Sequence, residues 1–215
     1  MIALIDYDIG NLHSVSKAIE KAGARVLRAR KPADLEPAWG AVLPGVGAFG
    51  DCIKALAASG FEEAVKNFIA SGRPFLGICV GHQMLFEASF ENGTHRGLGI
   101  FKGPVERFKD TPGLKIPQIG WNQVRQARPD CPLFRGIPDL SYFYFVHSYA
   151  VRPKEKDIIA GTTDYGETFA SVVWRNNVFA TQFHPEKSQK TGLQFLENFV
   201  RLCRSKTPED PAHAR

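Results

Sequence analysis

Apolar residues in the first eighty positions fall into short unbroken runs separated by longer amphipathic stretches. Residues 2–6 read as a buried strand, 12–22 as a helix with Asn11 at its N-cap, and 26–29 and 41–43 as further strands. Helices through 51–71 lead to another strand at 75–79. Beyond residue 100 the spacing shortens to strand-like runs at 105–108, 116–125, 142–151, 158–163, 168–175 and 178–183, and the chain closes with a helix near 191–203. Alternation in the first half predicts a parallel sheet covered by helices, and the run of strands in the second half makes that sheet mixed. No repeat or low-complexity linker interrupts the pattern. The fold class is therefore α/β, a single domain over 1–204 with a central, mostly parallel or mixed sheet flanked by helices. A loose, dispensable tail is expected over 205–215, where Pro208 and Pro211 lie.

The strand at 75–79 runs straight into an expected helix at 81–87, and Cys79 sits at the junction. The spacing Gly77-x-Cys79-x-Gly81 is the sulfur form of a nucleophile elbow, in which small flanking residues permit a strained strand-to-helix turn. A helix N-terminus also favours thiolate over thiol. Taken alone, the window equally suits a buried structural cysteine.

A base and its orienting group stand near the C-terminus. Pro185 biases His184 toward an extended backbone, and side chains two apart on an extended chain point the same way, so Glu186 can reach the His184 ring. Cys79, His184 and Glu186 in these roles have the logic of acyl transfer. By itself, His-Pro-Glu also reads as a surface turn. A third window, Pro44-Gly45-Val46-Gly47-Ala48-Phe49-Gly50, follows the strand at 41–43. Glycine can turn peptide N–H groups inward, so N–H donors around Gly47, with Val80 N–H directly after the nucleophile, would hold an oxyanion, each such donor being worth roughly 10²–10³ in rate. An ordinary strand-to-helix turn and a phosphate-cradling loop are the alternatives; no Gly-Lys-Ser/Thr follows to support the second.

Composition narrows the class. The 215 residues are 44% hydrophobic, enough for one core. Four scattered cysteines suit neither a disulfide framework nor a Cys-x-x-Cys metal site, so reduced thiols and a cytoplasmic location are expected. The N-terminal apolar stretch is too short for a secretory signal, and no stretch reaches the ~20 residues that span a bilayer. The net charge of +5 is dispersed without an aromatic-basic motif, so neither nucleic acid nor membrane is an expected partner.

Six windows, in order, resemble the class I (triad) glutamine amidotransferases, and in finer detail the glutaminase subunits of imidazole glycerol phosphate synthase. They are Ile5-Asp6-Tyr7-Asp8-Ile9-Gly10-Asn11-Leu12, Pro44-Gly45-Val46-Gly47-Ala48-Phe49, Gly77-Ile78-Cys79-Val80-Gly81-His82-Gln83, Gly120-Trp121-Asn122-Gln123-Val124, Phe145-Val146-His147-Ser148-Tyr149 and Gln182-Phe183-His184-Pro185-Glu186-Lys187-Ser188. The resemblance implies hydrolysis of glutamine through a thioester on Cys79, with no metal or organic cofactor. It further implies that Gly45, Gln83, Glu91, His147, Ser148 and Tyr149 hold the substrate, and that Asn11, Trp121 and Tyr144 approach a synthase partner. That partner would be a cyclase with a (β/α)₈ barrel, joined in a heterodimer and supplied with ammonia for histidine biosynthesis. Three positions depart from the usual pattern: Asp8 replaces a glycine, Gln118 a histidine, and His82 matches relatives that serve other pathways. Anthranilate- or carbamoyl-phosphate-type subunits share the triad but usually carry Pro-Gly-Pro-Gly and His-Pro-Glu-Ser, where this chain has Val46 and Lys187. A non-catalytic regulatory relative would carry a broken triad, and no feature marks the polymer-binding groove of a thiol peptidase.

Overall fold

The computed structural model describes residues 1–205. Four-residue apolar runs form β1 (Ile2–Ile5), followed by α1 (Leu12–Lys21), β2 (Val26–Ala29), β3 (Gly40–Leu43), α2 (Phe49–Ala58), α3 (Phe61–Ala70) and β4 (Phe75–Ile78). β1, β3 and β4 are buried at every position, because helices cover both faces of a parallel sheet and leave no solvent side. Asn11 caps α1, its side-chain oxygen accepting the Ser14 N–H at 3.3 Å.

α4 (Val80–Met84) is shorter than the helix expected over 81–87. Its C-terminal carbonyls are taken by the returning chain: Leu98 N–H donates to Met84, Phe101 N–H to Leu85 and Gly99 N–H to Phe86. With those acceptors engaged, the helix stops. The chain continues as β5 (Ala88–Ser89), β6 (His95–Arg96), β7 (Pro104–Arg107), β8 (Gln118–Gln126), β9 (Ser141–His147), β10 (Tyr149–Val151), β11 (Ile159–Asp164), β12 (Thr168–Arg175), β13 (Val178–Thr181) and α5 (Gln189–Ser205).

Nine strands form one sheet in the order β2-β1-β3-β4-β13-β12-β11-β8-β9, parallel from β2 to β13 and antiparallel thereafter. A second sheet has the order β10-β7-β5-β6. The single strand expected over 142–151 is thus two strands in different sheets, divided at Ser148, whose carbonyl accepts from Phe108 N–H at 3.0 Å. α5 lays Phe195, Leu196 and Phe199 on the large sheet, and Phe195 meets the stacked pair Phe143–Phe183, whose ring centroids are 4.0 Å apart. Burying each such side chain contributes roughly 1.5–3 kcal/mol. Among the described residues no helix is long and apolar enough to cross a membrane. Apart from Ser205, which ends α5, the expected tail over 205–215 lies outside the described residues.

Candidate active site

β3, β4 and β13 end side by side, and the loops leaving them carry the sequence windows singled out above. Cys79 lies between β4 and α4 at φ 56° and ψ −111°, a conformation L-residues rarely adopt outside strained turns. Its N–H donates to the Thr181 carbonyl at 2.8 Å, tying the turn to the neighbouring strand. The flanking glycines are required by close approach. A Cβ on Gly77 would lie 2.8 Å from the Gly81 carbonyl oxygen, and one on Gly81 would overlap the Leu43 carbonyl.

His184 leaves β13 with an extended backbone, φ −97° and ψ 97°, and its N–H donates to the Tyr144 carbonyl. Glu186 does not continue that extension. It sits in a single 3₁₀ turn, Pro185–Lys187, which folds the carboxylate back so that Oε1 lies 2.7 Å from His184 Nδ1. Ser188 fastens this turn by donating to the His184 carbonyl at 2.6 Å and accepting the Tyr144 N–H at 3.0 Å. Both members of the pair are buried. Burial opposes a charge on His184, but Cys79 and Glu186 outweigh it and push the imidazole pKa upward. A thiol beside an imidazole whose other nitrogen is fixed by a carboxylate is an arrangement for acyl transfer.

These groups open onto a cleft of about 360 Å³, within the range of about 300–1,000 Å³ typical of small-molecule sites. Gly47, Cys79, Val80, Gln83, Glu91, His147, Ser148, Tyr149 and His184 all lie on its wall. Gln83 donates its two amide protons to the Tyr149 carbonyl and to Gln182 Oε1, each at 3.0 Å, leaving its own oxygen for the cleft. Glu91 Oε2 accepts the Phe49 N–H at 2.7 Å and so caps α2. Gly47 has φ 84°, the left-handed region that glycine tolerates. Gly45 is set behind the cleft wall. Its carbonyl accepts the Val80 N–H over a long 3.4 Å, and a Cβ there would lie 2.8 Å from Gly81 N.

Asn11, Trp121 and Tyr144 are not in the cleft. Trp121 and Tyr144 are cross-strand neighbours on β8 and β9 with rings edge to face, and Trp121 is exposed beside Ile119 and Tyr142. Gln182 was missed from the sequence. It is fully buried, and its amide points at the Cys79 sulfur from 3.8 Å. Side chains two apart on an extended chain face one way, so the strand expected through 183 already put Gln182 on the His184 side, and that was the available signal.

The three departures each have a local setting. Asp8 holds φ 65°, where glycine is at ease and aspartate tolerated, with its N–H on Asp6 Oδ1. Gln118 meets His147 at 2.8 Å. His82 is fully buried against Phe86, neither ring nitrogen has a hydrogen-bond partner, and burial pushes its pKa down to about 3. Among the described residues no three His, Cys, Asp or Glu side chains are grouped to hold a metal ion.

Comparison with known proteins agrees over nearly the full length. Residues 3–203 match the family described as glutamine amidotransferase class-I. The chain is 50% identical to imidazole glycerol phosphate synthase subunit HisH of Synechococcus sp. (strain JA-3-3Ab) over 208 residues, 96% of each chain. It is 50% identical to the same subunit of Acinetobacter baylyi over 199 residues, covering 93% of this chain and 97% of that one. PurLQS of Thermotoga maritima shares the fold, with a TM-score of 0.72 at 18% identity over 95% of this chain and 97% of the other. The chain therefore belongs to the class-I glutamine amidotransferase family.

Proposed function

We propose that this chain is a glutaminase subunit of imidazole glycerol phosphate synthase, releasing ammonia from glutamine for a cyclase subunit in histidine biosynthesis. The Cys79 thiolate attacks the side-chain amide carbon, and the oxyanion is held by Val80 N–H and by N–H groups around Gly47. Collapse of the tetrahedral intermediate expels ammonia with a proton delivered by His184, leaving a γ-glutamyl thioester. Water, deprotonated by His184, cleaves the thioester to glutamate and restores Cys79. Glu186 orients the imidazole throughout, while Gln83, Glu91 and the 147–149 backbone hold the substrate with Gly45 behind them. The observation that carries this reading is the 2.7 Å His184–Glu186 pair set beside a cysteine in an elbow conformation.

A free glutaminase would waste glutamine, and relatives half identical to this chain are subunits of the synthase. The partner is accordingly a cyclase with a (β/α)₈ barrel, joined in a heterodimer. Its docking face includes Asn11, Trp121 and Tyr144, a choice favoured by the exposed aromatic strip on β8 and β9. A cytoplasmic location belongs to the same reading, since the nucleophile must stay reduced. In the resting chain the Val80 N–H is engaged by the Gly45 carbonyl. The isolated subunit is therefore a slow glutaminase that docking accelerates.

The test is Cys79→Ala in the assembled complex. Glutamine-dependent turnover should vanish while ammonium-dependent turnover persists. Substantial glutamine turnover by the variant would refute the nucleophile.

A further inference from the structure

Three consecutive carbonyls in the loop after β3 are held very differently. The Pro44 carbonyl accepts the Tyr7 hydroxyl at 2.7 Å, and the Val46 carbonyl accepts the Cys52 thiol at 3.2 Å. The Gly45 carbonyl between them has the long 3.4 Å contact from Val80 N–H, beyond the usual 2.7–3.2 Å of a strong bond. We propose that Tyr7 and Cys52 are positioning residues that pin the peptides on either side of Gly45–Val46 and so confine the resting-to-active change of the loop to that one peptide.

Turning the Gly45–Val46 peptide removes a carbonyl from Val80 N–H and directs an N–H toward the space it occupied. The two donors that would stay fixed are mounted on rigid parts of the fold. Tyr7 is buried two residues beyond β1, and Cys52 is buried within α2. Burial keeps Cys52 protonated, with its pKa pushed up to about 11, so the thiol remains a donor at neutral pH. The room left for the turn is small and specific, because a Cβ at Gly45 would meet Val80 Cβ at 2.9 Å and the Tyr7 hydroxyl at 3.1 Å.

Pinning both flanks gives the loop two defined states. Without a pin, neighbouring peptides share the rotation and the docked partner drives a less complete change. This inference rests on the glutaminase reading and deepens it. The test measures glutamine hydrolysis by the full chain alone, and in complex with the cyclase subunit and its phosphorylated substrate, for wild type, Tyr7→Phe, Cys52→Ala and Cys52→Ser. The ratio of the two rates should fall roughly three- to tenfold in Tyr7→Phe and Cys52→Ala, the scale of one net hydrogen bond. Cys52→Ser, which keeps a donor, should recover part of the ratio. A purely structural role would lower both rates together, so an unchanged ratio in both Tyr7→Phe and Cys52→Ala overturns the proposal. An inactive wild-type complex would instead overturn the glutaminase reading itself.

Discussion

Gln118 and His147 face each other across β8 and β9 with 2.8 Å between the carboxamide and Nε2, while Nδ1 of the same ring lies 2.8 Å from the Tyr149 carbonyl. Burial pushes His147 down to about 4 against the opposing pull of its bond to the Tyr149 carbonyl, with His184 adding a smaller push downward, so the ring is neutral at pH 7. The Gln118 atom facing Nε2 is Oε1, so it and the Tyr149 carbonyl are both acceptors, and the one proton of a neutral ring serves only one of them. A carboxylate in place of that amide would reverse the preference. In Gln118→Glu the His147 pKa should rise by about 1–3 units, read from imidazole NMR titration. An unmoved titration would show that this contact does not set the proton on His147.

Glu186 presents Oε1 to His184, whereas its buried Oε2 has no hydrogen-bond partner. Glu186→Gln keeps the acceptor and places its NH₂ where no bond existed. Thioester formation should therefore slow less than in His184→Ala, which removes the proton carrier. Rapid-quench trapping of the acyl-enzyme in both variants checks the order. An equal or larger loss in Glu186→Gln would mean that the carboxylate charge matters more than ring orientation.

Much of this arrangement could be read from local sequence, because its parts are short and self-contained. β1, β3 and β4 are four-residue apolar runs, and the elbow glycines at 77 and 81 announce the tight turn from β4 into α4. What could not be read depends on residues far away in the chain. Apolar residues continue through 142–151 without a turn signal, so the hand-over at Ser148 emerges only when β7 supplies a partner for β10. β5 and β6 have two residues each, too few to show any period. Glu91 caps a helix that begins 42 positions earlier. The meeting of Trp121 with Tyr144 follows from the β8–β9 register, which one sequence does not display.

His82 keeps two unpartnered ring nitrogens in a fully buried setting, at a cost of about 1–3 kcal/mol for a buried polar group left unsatisfied. Methionine is flexible and apolar and fits irregular core space. His82→Met should stabilise the chain by roughly 1 kcal/mol, about 2–4 °C in Tm for a protein of this size. Calorimetry checks it, and a lowered Tm would mean the ring is satisfied in solution by a group such as water.

Acid should destabilise the fold through two rings at once. His82 and His147 sit at about 3 and about 4 in the folded chain, against an ordinary value of 6.5. As pH falls from 6.5 toward 4, the unfolded chain takes up protons that the folded chain refuses, so stability drops with pH. His184 has the opposite sign. Its raised pKa gives a contribution that is complete below 6.5 and fades as pH rises above it. Urea midpoints across pH should show the acid loss shallower in His82→Met by about 1.4 kcal/mol per pH unit, one proton fewer. Identical slopes in the two proteins would exclude His82 as a source of the loss.

The backbone at Cys79 has a consequence for how variants of this protein are judged. Holding a side chain at φ 56° and ψ −111° costs on the order of 1–3 kcal/mol, and glycine would occupy the same turn without that strain. Cys79→Gly should therefore melt higher than wild type and express at least as well while hydrolysing no glutamine. A screen for soluble yield or heat resistance would rank the dead protein above the living one. At this position robustness and chemistry pull in opposite directions, and only an assay of ammonia release can tell an improved enzyme from a comfortable corpse.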